Sequence, residues 1–370
     1  FGSMSSTFVL NQSNRYTNSG ATTTGSVSKE IDDLSGGIAL TGTNTISFYR
    51  EALSEAADYT FHWEAWEYIG SVGGPNEFIV RDRWAVTLAS TSSASYTPAG
   101  ISNADNCIPF ITGIRSNQVS NSADNATAIA WVDDSGDVQV RRGGTNGTTI
   151  VYIVLVEFTG TNWTVLHGTA TDINDTGTIT LDTDSDGSGG STGDVGDWSN
   201  ALILHQFYKG AAETVNEAIT DTSAVYYPTA GQTTQVDWAF STDHDGNADQ
   251  QHFVHVLKNP GMTVTRYTDT GNAEGDNPID ITASGITDLT NTVCVGSAYS
   301  SGTGTAYSRG WKGIYLTSTT NVNSWASYLG NTISVRVQIA EMPQDSGGTN
   351  ELVISDSTAT FGVALGDNIG

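Results

Sequence analysis

Two landmark segments of this chain each occur twice. The segment GISNADNC at 100–107 is matched by GITDLTNTVC at 285–294, and the apolar segment that ends in Glu157 is matched by one that ends in Glu341. The separation is nearly the same for both pairs, because they run from 100 to 285 and from 157 to 341. This agreement predicts two tandem copies of one fold rather than a single large domain.

A smaller repeat inside the first half is a second hypothesis. The segment that ends in Glu67 resembles the one that ends in Glu157, since each is followed by a Gly-containing turn and another apolar segment. In the second half, 251–259 takes the corresponding place and carries Lys258 where the other segments have a Glu.

The composition and the alternation of side chains predict an all-β protein. Charged residues make up 15% of the chain, and 41 Gly stand against 7 Pro, which is typical of short strands joined by many turns. Apolar and polar residues alternate over 333–340, whereas 150–156 is apolar at nearly every position and so predicts a strand covered on both faces. We expect two tandem β-sandwich domains, jelly-roll-like in architecture, with a short C-terminal tail.

The expected boundaries follow from local composition. Residues 1–3 look like a cloning scar before Met4, 4–181 form the first sandwich domain, and 199–342 form the second. The intervening 182–198 is acidic and rich in Gly and Ser, as flexible linkers are. The tail 343–370 cannot form its own core, so it docks on the second domain or donates a strand to a neighbouring subunit.

Charge limits the classes of partner. With 14 basic and 40 acidic residues the net charge is −26, so phosphate backbones and anionic membrane surfaces are repelled. The chain has no apolar run of 18 residues and no signal peptide, which predicts synthesis in the host cytoplasm without membrane insertion. Cys107 and Cys294 are expected at matching points of the two copies, each as a small buried hydrophobe without a bridge.

One motif points to a metal ion. Asp182, Asp184 and Asp186 alternate before Gly187, and carboxylates in this spacing are what Ca²⁺ coordinates. The motif resembles the first half of an EF-hand or dockerin calcium loop, but Gly193 stands where that family has its bidentate acid. Calcium is therefore one hypothesis, and a solvated linker is the other; no cofactor is required.

Tryptophans are the candidates for sugar binding. Trp63, Trp66 and Trp84 lie close together in the first half, and exposed aromatic side chains on a sandwich can stack on sugar rings. The alternative is that these side chains only fill the core.

No catalytic residue is predicted. Glu67, Glu157 and Glu341 lie on apolar faces near strand ends, where a buried carboxylate needs a partner such as Arg50 or Arg142. A structural ion pair, or exposure at the rim of the sheet, is therefore favoured over acid–base chemistry. The sequence also contains no phosphate-binding loop, no dinucleotide fingerprint and no nucleophile elbow.

In overall style the chain resembles structural proteins of marine bacteriophages, a resemblance that covers the whole chain without a diagnostic motif. It implies a non-enzymatic part of a virion, namely a capsid decoration, tail or fibre protein that associates with itself or with other virion proteins. One alternative is a lectin-like adhesin or receptor-binding protein at the extracellular surface that binds a cell-surface glycan. Another alternative is a glycan-active enzyme on a β-sandwich, which would need two carboxylates in one cleft.

Overall fold

A computed structural model describes residues 1–17, 36–50, 58–117, 125, 127–172, 174–210, 224–240, 250–271, 275–301, 312–326, 332–345 and 347–361. Over these residues the regular structure consists of antiparallel strands and short 3₁₀ turns. The part of the chain that is described contains no helix with the length and apolar character needed to cross a membrane.

The strands are numbered in chain order. They are β1 Thr7–Thr17, β2 Gly36–Gly42, β3 Thr45–Arg50, β4 Asp58–Tyr68, β5 Ile79–Ala89, β6 Ser93–Tyr96, β7 Cys107–Ser116, β8 Ala128–Val132, β9 Val138–Arg142, β10 Thr148–Glu157, β11 Thr164–Asp172, β12 Thr176–Thr180, β13 Ala201–Lys209, β14 Val225–Pro228, β15 Gln235–Ala239, β16 Gln250–Lys258, β17 Thr263–Gly271, β18 Gly275–Asp280, β19 Thr292–Ser301, β20 Lys312–Ser318, β21 Asn321–Ala326, β22 Thr332–Glu341 and β23 Leu352–Phe361.

The same order of elements recurs four times along the chain. Each repeat begins with a 3₁₀ turn and a long strand, continues with two shorter strands, and then has a second long strand and one further strand. Within the described residues, repeats 1 to 3 add a short final strand, and the corresponding part of repeat 4 would fall beyond residue 361. The repeats span 4–96, 104–180, 198–280 and 289–361, and their opening 3₁₀ turns are Met4–Ser6, Ala104–Asn106, Trp198–Asn200 and Leu289–Asn291.

Consecutive repeats exchange strands. The fifth strand of each repeat pairs with the second long strand of the next, as β5 pairs with β10, β11 with β16 and β17 with β22. In the same way β23 of repeat 4 pairs with β4 of repeat 1, so the exchange closes into a cycle. We call each resulting sandwich a unit. Its inner sheet consists of the two long strands of one repeat and the strand donated by the preceding repeat in the cycle. Each unit takes the number of the repeat that supplies the two long strands.

A second layer of strands covers each inner sheet. The short final strand of one repeat pairs with the hairpin of the next, as β6 pairs with β9, β12 with β15 and β18 with β21. Unit 1 has the hairpin of β2 and β3 in this position. Strands of the inner sheets therefore have apolar neighbours on both sides, one side facing the outer sheet and the other facing the middle of the cycle.

The core divides in the same pattern. A central cluster takes alternate side chains from all four inner sheets, and four further clusters each lie between the inner and outer sheet of one unit. On β10, for example, Val154 and Val156 face the central cluster, whereas Val151, Ile153 and Leu155 face the outer sheet. The prediction that 150–156 is covered on both faces is confirmed.

The all-β, sandwich-like fold is confirmed. The sheets, however, do not divide the chain into the two separate domains that the sequence led us to expect. Strand β11 precedes the predicted linker 182–198 and pairs along its length with β16, which follows it. The segment 182–198 is itself packed: Asp182 N donates to His167 O at 2.6 Å, and Val195 is fully buried. The strand exchange is the physical reason, because it makes each sandwich from two repeats.

The predicted tail also has a different place. Within 343–370, strand β23 pairs with β4 of the first half rather than with the second half, and 362–370 lie outside the described residues. Leu352 and Ile354 of this strand are buried in the central cluster, so its attachment contributes apolar burial as well as backbone hydrogen bonds.

Both cysteines are free and buried, as expected, but they are not at matching positions. Cys107 lies opposite Glu157 in its sheet, and the residue opposite Glu341 is Thr292 rather than Cys294. Cys294 therefore lies two residues further along its strand, although it also faces the core of its own unit.

Candidate functional site

A layer of polar side chains borders the central core. At the start of each donated strand, or one residue before it, begin two core residues at alternate positions, and one polar residue follows them. In β11, β17 and β23 this polar residue has the same face as the core residues by alternation. In β5 a bulge between the residues opposite Leu155 and Val156 adds one residue to this spacing. The polar residues are Arg83 in β5, His167 in β11, Arg266 in β17 and Asp356 in β23, and their register partners are Val154, His255, Gln338 and Glu64.

We call the place where a donated strand enters the next unit a junction. The junction of repeat 3 with unit 4 shows what the polar residue at this position does. Arg266 Nη1 donates to Trp198 O at 2.7 Å, and Nη2 donates to Ala201 O and to Gln338 Oε1, the latter at 3.2 Å. Gln338 also accepts from Ile203 N at 3.0 Å and donates to Ile203 O at 2.7 Å. Burial lowers the pKa of Arg266 to about 10. One guanidinium group thus ties the opening turn of repeat 3 to unit 4.

Arg83 has the same role at the junction of repeat 1 with unit 2. Its Nη2 donates to the carbonyl oxygens of Met4 and Thr7, which correspond in position to those of Trp198 and Ala201. Burial lowers the pKa of Arg83 to about 10.

Two histidines occupy the junction of repeat 2 with unit 3. The Nδ1 atoms of His167 and His255 are 2.9 Å apart, and His167 Nε2 donates to Asp105 O at 2.9 Å. Burial lowers the pKa of His167 and, together with the neighbouring His167, that of His255. This junction is therefore filled by neutral imidazoles.

The fourth junction, between repeat 4 and unit 1, reverses the charge. Asp356 stands at the position of Arg266, and Glu64 stands at the position of Gln338. Glu64 Oε2 accepts from Cys294 N at 3.3 Å, as Gln338 accepts from Ile203 N, and its Oε1 accepts from the indole of Trp66. Glu64 is only 2% exposed, so a carboxylate is held inside the junction.

A cavity of about 220 Å³ lies at this fourth junction. Its wall includes both carboxylates and the aromatic rings of His62 and Tyr315, which stack at 3.8 Å, together with Trp63 and Thr292. Burial, and then the charges of Glu64 and Asp356, raise the pKa of Cys294 well above its ordinary value. We call this space the acidic junction cavity; its chemistry suits a positively charged group.

A second cavity, of about 480 Å³, lies between units 1 and 2. Tyr49 and Tyr152 stack in its wall at 4.6 Å, and Trp84 borders it while stacking on Tyr96 at the same distance. The hydroxyl group of Tyr96 donates to Asp82, another lining residue. Aromatic faces beside a carboxylate are what a sugar ring needs for stacking and hydrogen bonding.

The three residues that were predicted to stack on sugar rings lie in three different environments. Trp66 has no exposed surface because it packs in the central core against Phe8, with ring centroids 5.2 Å apart, so the prediction is wrong for this residue. Trp63 and Trp84 are half-buried, and each borders one of the two cavities. For these two residues sugar stacking stays a prediction.

The predicted calcium residues are rearranged. The carboxylates of Asp184 and Asp186 gather with that of Asp134, from the turn after β8, with ligand atoms within 4.8 Å of one another. Asp182 lies outside this group, and its Oδ1 accepts from Asp184 N at 2.9 Å. Asp184, and then Asp186, raise the pKa of Asp134, since three negative charges at this spacing repel.

Of the repeated glutamates, Glu157 has clear structural partners. Glu157 forms an ion pair with Arg81 and accepts hydrogen bonds from the backbone of Ser102 and Asn103. The ion pair was predicted, but its partner differs: the guanidinium group of Arg142 is buried and donates to carbonyl oxygens in loops, among them Asn146 O at 3.1 Å. Arg81 reaches Glu157 because strand exchange brings β5 beside β10.

The sequence analysis missed Glu64, Asp356 and Asp134. A signal for Asp356 was present, since the donated strands share two alternate apolar residues followed by a polar one, but it is readable only once the strands are known to be equivalent. Comparison with known proteins assigns no family, because no family model matches the chain and no curated protein gives a significant match.

Proposed function

We propose that this chain is a non-enzymatic structural component of a virus or phage particle, as a capsid decoration, tail or fibre protein. The observation that carries the proposal is the closed cycle of strand exchange, in which β23 returns to β4. No repeat can leave the cycle without breaking the pairing of its own inner sheet and that of the next unit. A part of a particle that persists outside a cell needs this kind of kinetic stability.

The charge agrees with this function. A net charge of −26 keeps the protein soluble at the high local concentration of a particle surface, and it disfavours non-specific binding to nucleic acid.

The test is to locate the protein. Antibodies raised against the chain, applied with gold label to particles purified from the producing culture, are expected to decorate the particles at regular positions. Label that stays in the particle-free supernatant would contradict the proposal. Light scattering after size exclusion supplies the oligomeric state of the isolated protein.

Carbohydrate binding is the second candidate function, favoured by Trp84 beside the cavity of about 480 Å³. A glycan array probed with the unaltered protein and with Trp84→Ala is expected to show signals that the substitution removes. Trp198→Ala is a matched control, because that indole donates to Gln232 O at 2.8 Å in unit 3, away from the cavity. An array without signal removes this candidate.

Calcium would act at the group formed by Asp134, Asp184 and Asp186, where a divalent cation would relieve the repulsion between the carboxylates. We expect millimolar Ca²⁺ to raise the melting temperature and Asp134→Asn to abolish that rise. Asp182→Asn serves as the control, since Asp182 lies outside the group and is expected to leave the rise in place. An unchanged melting temperature in the unaltered protein would exclude a meaningful site.

A further inference from the structure

We propose that the cavity of about 480 Å³ between units 1 and 2 binds a small organic carboxylate, with the guanidinium group of Arg83 as its counter-ion. Arg83 borders this cavity, and it shares a face of β5 with Ala85, whose register partner Tyr152 also borders it. A cavity of this volume is typical of sites for small molecules. The ligand supplies an acceptor that the chain itself does not supply.

A comparison of Arg83 with Arg266 shows which acceptor is missing. Arg266 donates from both Nη1 and Nη2, and one of its acceptors is the side-chain oxygen of its register partner Gln338. The register partner of Arg83 is Val154, whose side chain offers no acceptor. Within the described residues, both hydrogen bonds of the Arg83 guanidinium group leave from Nη2. Arg83 therefore has one acceptor fewer than Arg266, and the cavity lies beside it.

Arg83 also carries a buried donor that no acceptor meets. Its Nε is removed from solvent and makes no hydrogen bond. The Nε of Arg266 is buried in the same way, so the difference at Arg83 is the unused Nη1 and the cavity within reach. Burial lowers the pKa of Arg83 to about 10, which leaves it a cation at neutral pH. A buried cation without a counter-ion is costly, and a bound carboxylate offsets that cost.

The acidic side chains around Arg83 are engaged elsewhere. Asp82 borders the cavity, but its Oδ1 accepts from the backbone N of Arg83 at 2.7 Å and its Oδ2 accepts from the hydroxyl group of Tyr96. Among the described residues, the ion pair beside this cavity joins Arg81 to Glu157. The Nε and Nη1 of Arg83 are therefore available to an acceptor from solution.

The rest of the wall favours an organic anion over a bare inorganic one. Tyr49 and Tyr152 stack in it with ring centroids 4.6 Å apart, and Leu40 adds apolar surface from unit 1. Ala85 is exposed, so one side of the cavity meets solvent. A carboxylate at Arg83 that carries a ring against this wall combines a charge-assisted hydrogen bond with apolar burial.

Two sources supply a ring that carries a carboxylate, namely aromatic acids and acidic sugars. An acidic sugar would join the proposal to carbohydrate binding, the second candidate function at this cavity, whereas an aromatic acid is independent of that function. The shared chemistry is the carboxylate. The probes are therefore benzoate and glucuronate, each with a neutral counterpart, benzamide and glucose.

Calorimetric titration of the intact protein with these four compounds tests the proposal. At least one carboxylate is expected to bind about tenfold more tightly than its neutral counterpart, because charge-assisted hydrogen bonds are the stronger ones. Preference for benzoate identifies an aromatic acid, and preference for glucuronate identifies an acidic sugar. Binding of neither carboxylate, or equal affinity for the neutral compounds, would overturn the proposal. Glucose binding without a preference for glucuronate or benzoate would overturn it while leaving carbohydrate binding in place.

Two matched substitutions test the guanidinium group itself. Arg83→Gln is expected to weaken binding of the preferred carboxylate about tenfold or more. Arg266→Gln removes the guanidinium group of another junction, in β17, and is expected to leave the affinity unchanged. A folded Arg83→Gln protein with the affinity of the unaltered protein would contradict the proposal.

A further pair of variants keeps Arg83 in place. Ala85→Glu puts a carboxylate two residues from Arg83 on the same face of β5, where it competes for the guanidinium group. Because Ala85 is exposed, the variant is expected to fold, and circular dichroism checks that it does. We expect Ala85→Glu to weaken binding of the preferred carboxylate about tenfold or more, and Ala85→Gln, of the same size without the charge, to weaken it clearly less. Equal losses in the two variants would count against Arg83 as the counter-ion.

Discussion

The junction at Arg266 and the junction at Asp356 place opposite charges in the same backbone frame. In both, a donated strand brings a polar side chain towards the opening turn of its own repeat. The residue that pairs with this side chain across the sheet accepts a hydrogen bond from a backbone N–H near the start of the strand that follows the turn, Ile203 N in one junction and Cys294 N in the other. One junction is closed by an internal cation, and the other holds two carboxylates around a cavity. The difference teaches that sheet pairing and the central core hold the cycle together, which leaves this one position in each repeat open to other chemistry.

The largest effect is expected in the central core, which all four units share. Trp66→Ala removes a fully buried ring from the central core and should lower the free energy of unfolding by about 3–5 kcal/mol. Trp63→Ala, which changes a half-buried ring on the same strand, should have a clearly smaller effect. Chemical denaturation of both variants decides the point, and equal losses would show that the central core does not dominate.

The next effect concerns the internal cation. Arg266→Ala removes hydrogen bonds to two carbonyl groups and to Gln338, so we expect a loss of about 1.5–3 kcal/mol in unfolding free energy. Arg336→Ala is the matched control, since its guanidinium group lies over the ring of Tyr227 and donates to the exposed Thr268 hydroxyl group, and should cost less than about 1 kcal/mol. If the two variants lose the same stability, Arg266 is not the tie that the comparison requires.

A pH effect separates the histidine junction from the other three. The pKa values of His167 and His255 are lowered in the folded protein, so the unfolded chain takes up protons first as the pH falls below about 6.5. Stability is then fully present above that pH and is lost below it, by at most about 1.4 kcal/mol per pH unit for each histidine. Denaturation midpoints of the unaltered protein and of His255→Gln between pH 7.5 and 5 measure this, and we expect a weaker decline in the variant.

The smallest effect is expected at the acidic junction. Asp356→Asn relieves repulsion with Glu64 but acts on an exposed charge, so the melting temperature should rise by about 1–2 °C at low salt. The rise should shrink at high salt because exposed charges are screened. A fall in melting temperature would mean that Asp356 forms a stabilising contact, and the contrast with Arg266 would fail.

Local patterns in the sequence were sufficient for the strands but not for their exchange. The apolar run at 150–156 predicted a strand covered on both faces, and the similar ends at Glu67, Glu157, Lys258 and Glu341 pointed to a repeat. These four residues do lie at equivalent register positions, opposite the first residues of β1, β7, β13 and β19. Whether a strand pairs within its own repeat or with the next depends on long-range contacts that alternation does not encode.

The same limit explains the errors at the site. Asp182, Asp184 and Asp186 are neighbours in sequence, yet Asp134 replaces Asp182 in the acidic group because the turn after β8 meets this loop only in the folded protein. Trp63 and Trp66 are three positions apart, so their side chains lie on opposite faces of β4. The sequence does not say which of these faces packs in the central core, because that core is formed only when the repeats exchange strands.

The most direct test of the closed cycle is a disulfide between β4 and β23. Glu67 and Val353 are register partners, so Glu67→Cys with Val353→Cys is expected to cross-link within one chain on mild oxidation and to migrate differently from the reduced protein on a denaturing gel. The control pair Glu67→Cys with Ser355→Cys is two residues out of register and is expected to cross-link much less. Equal cross-linking of both pairs, or cross-linking only between chains, would contradict the closure of the cycle by β23.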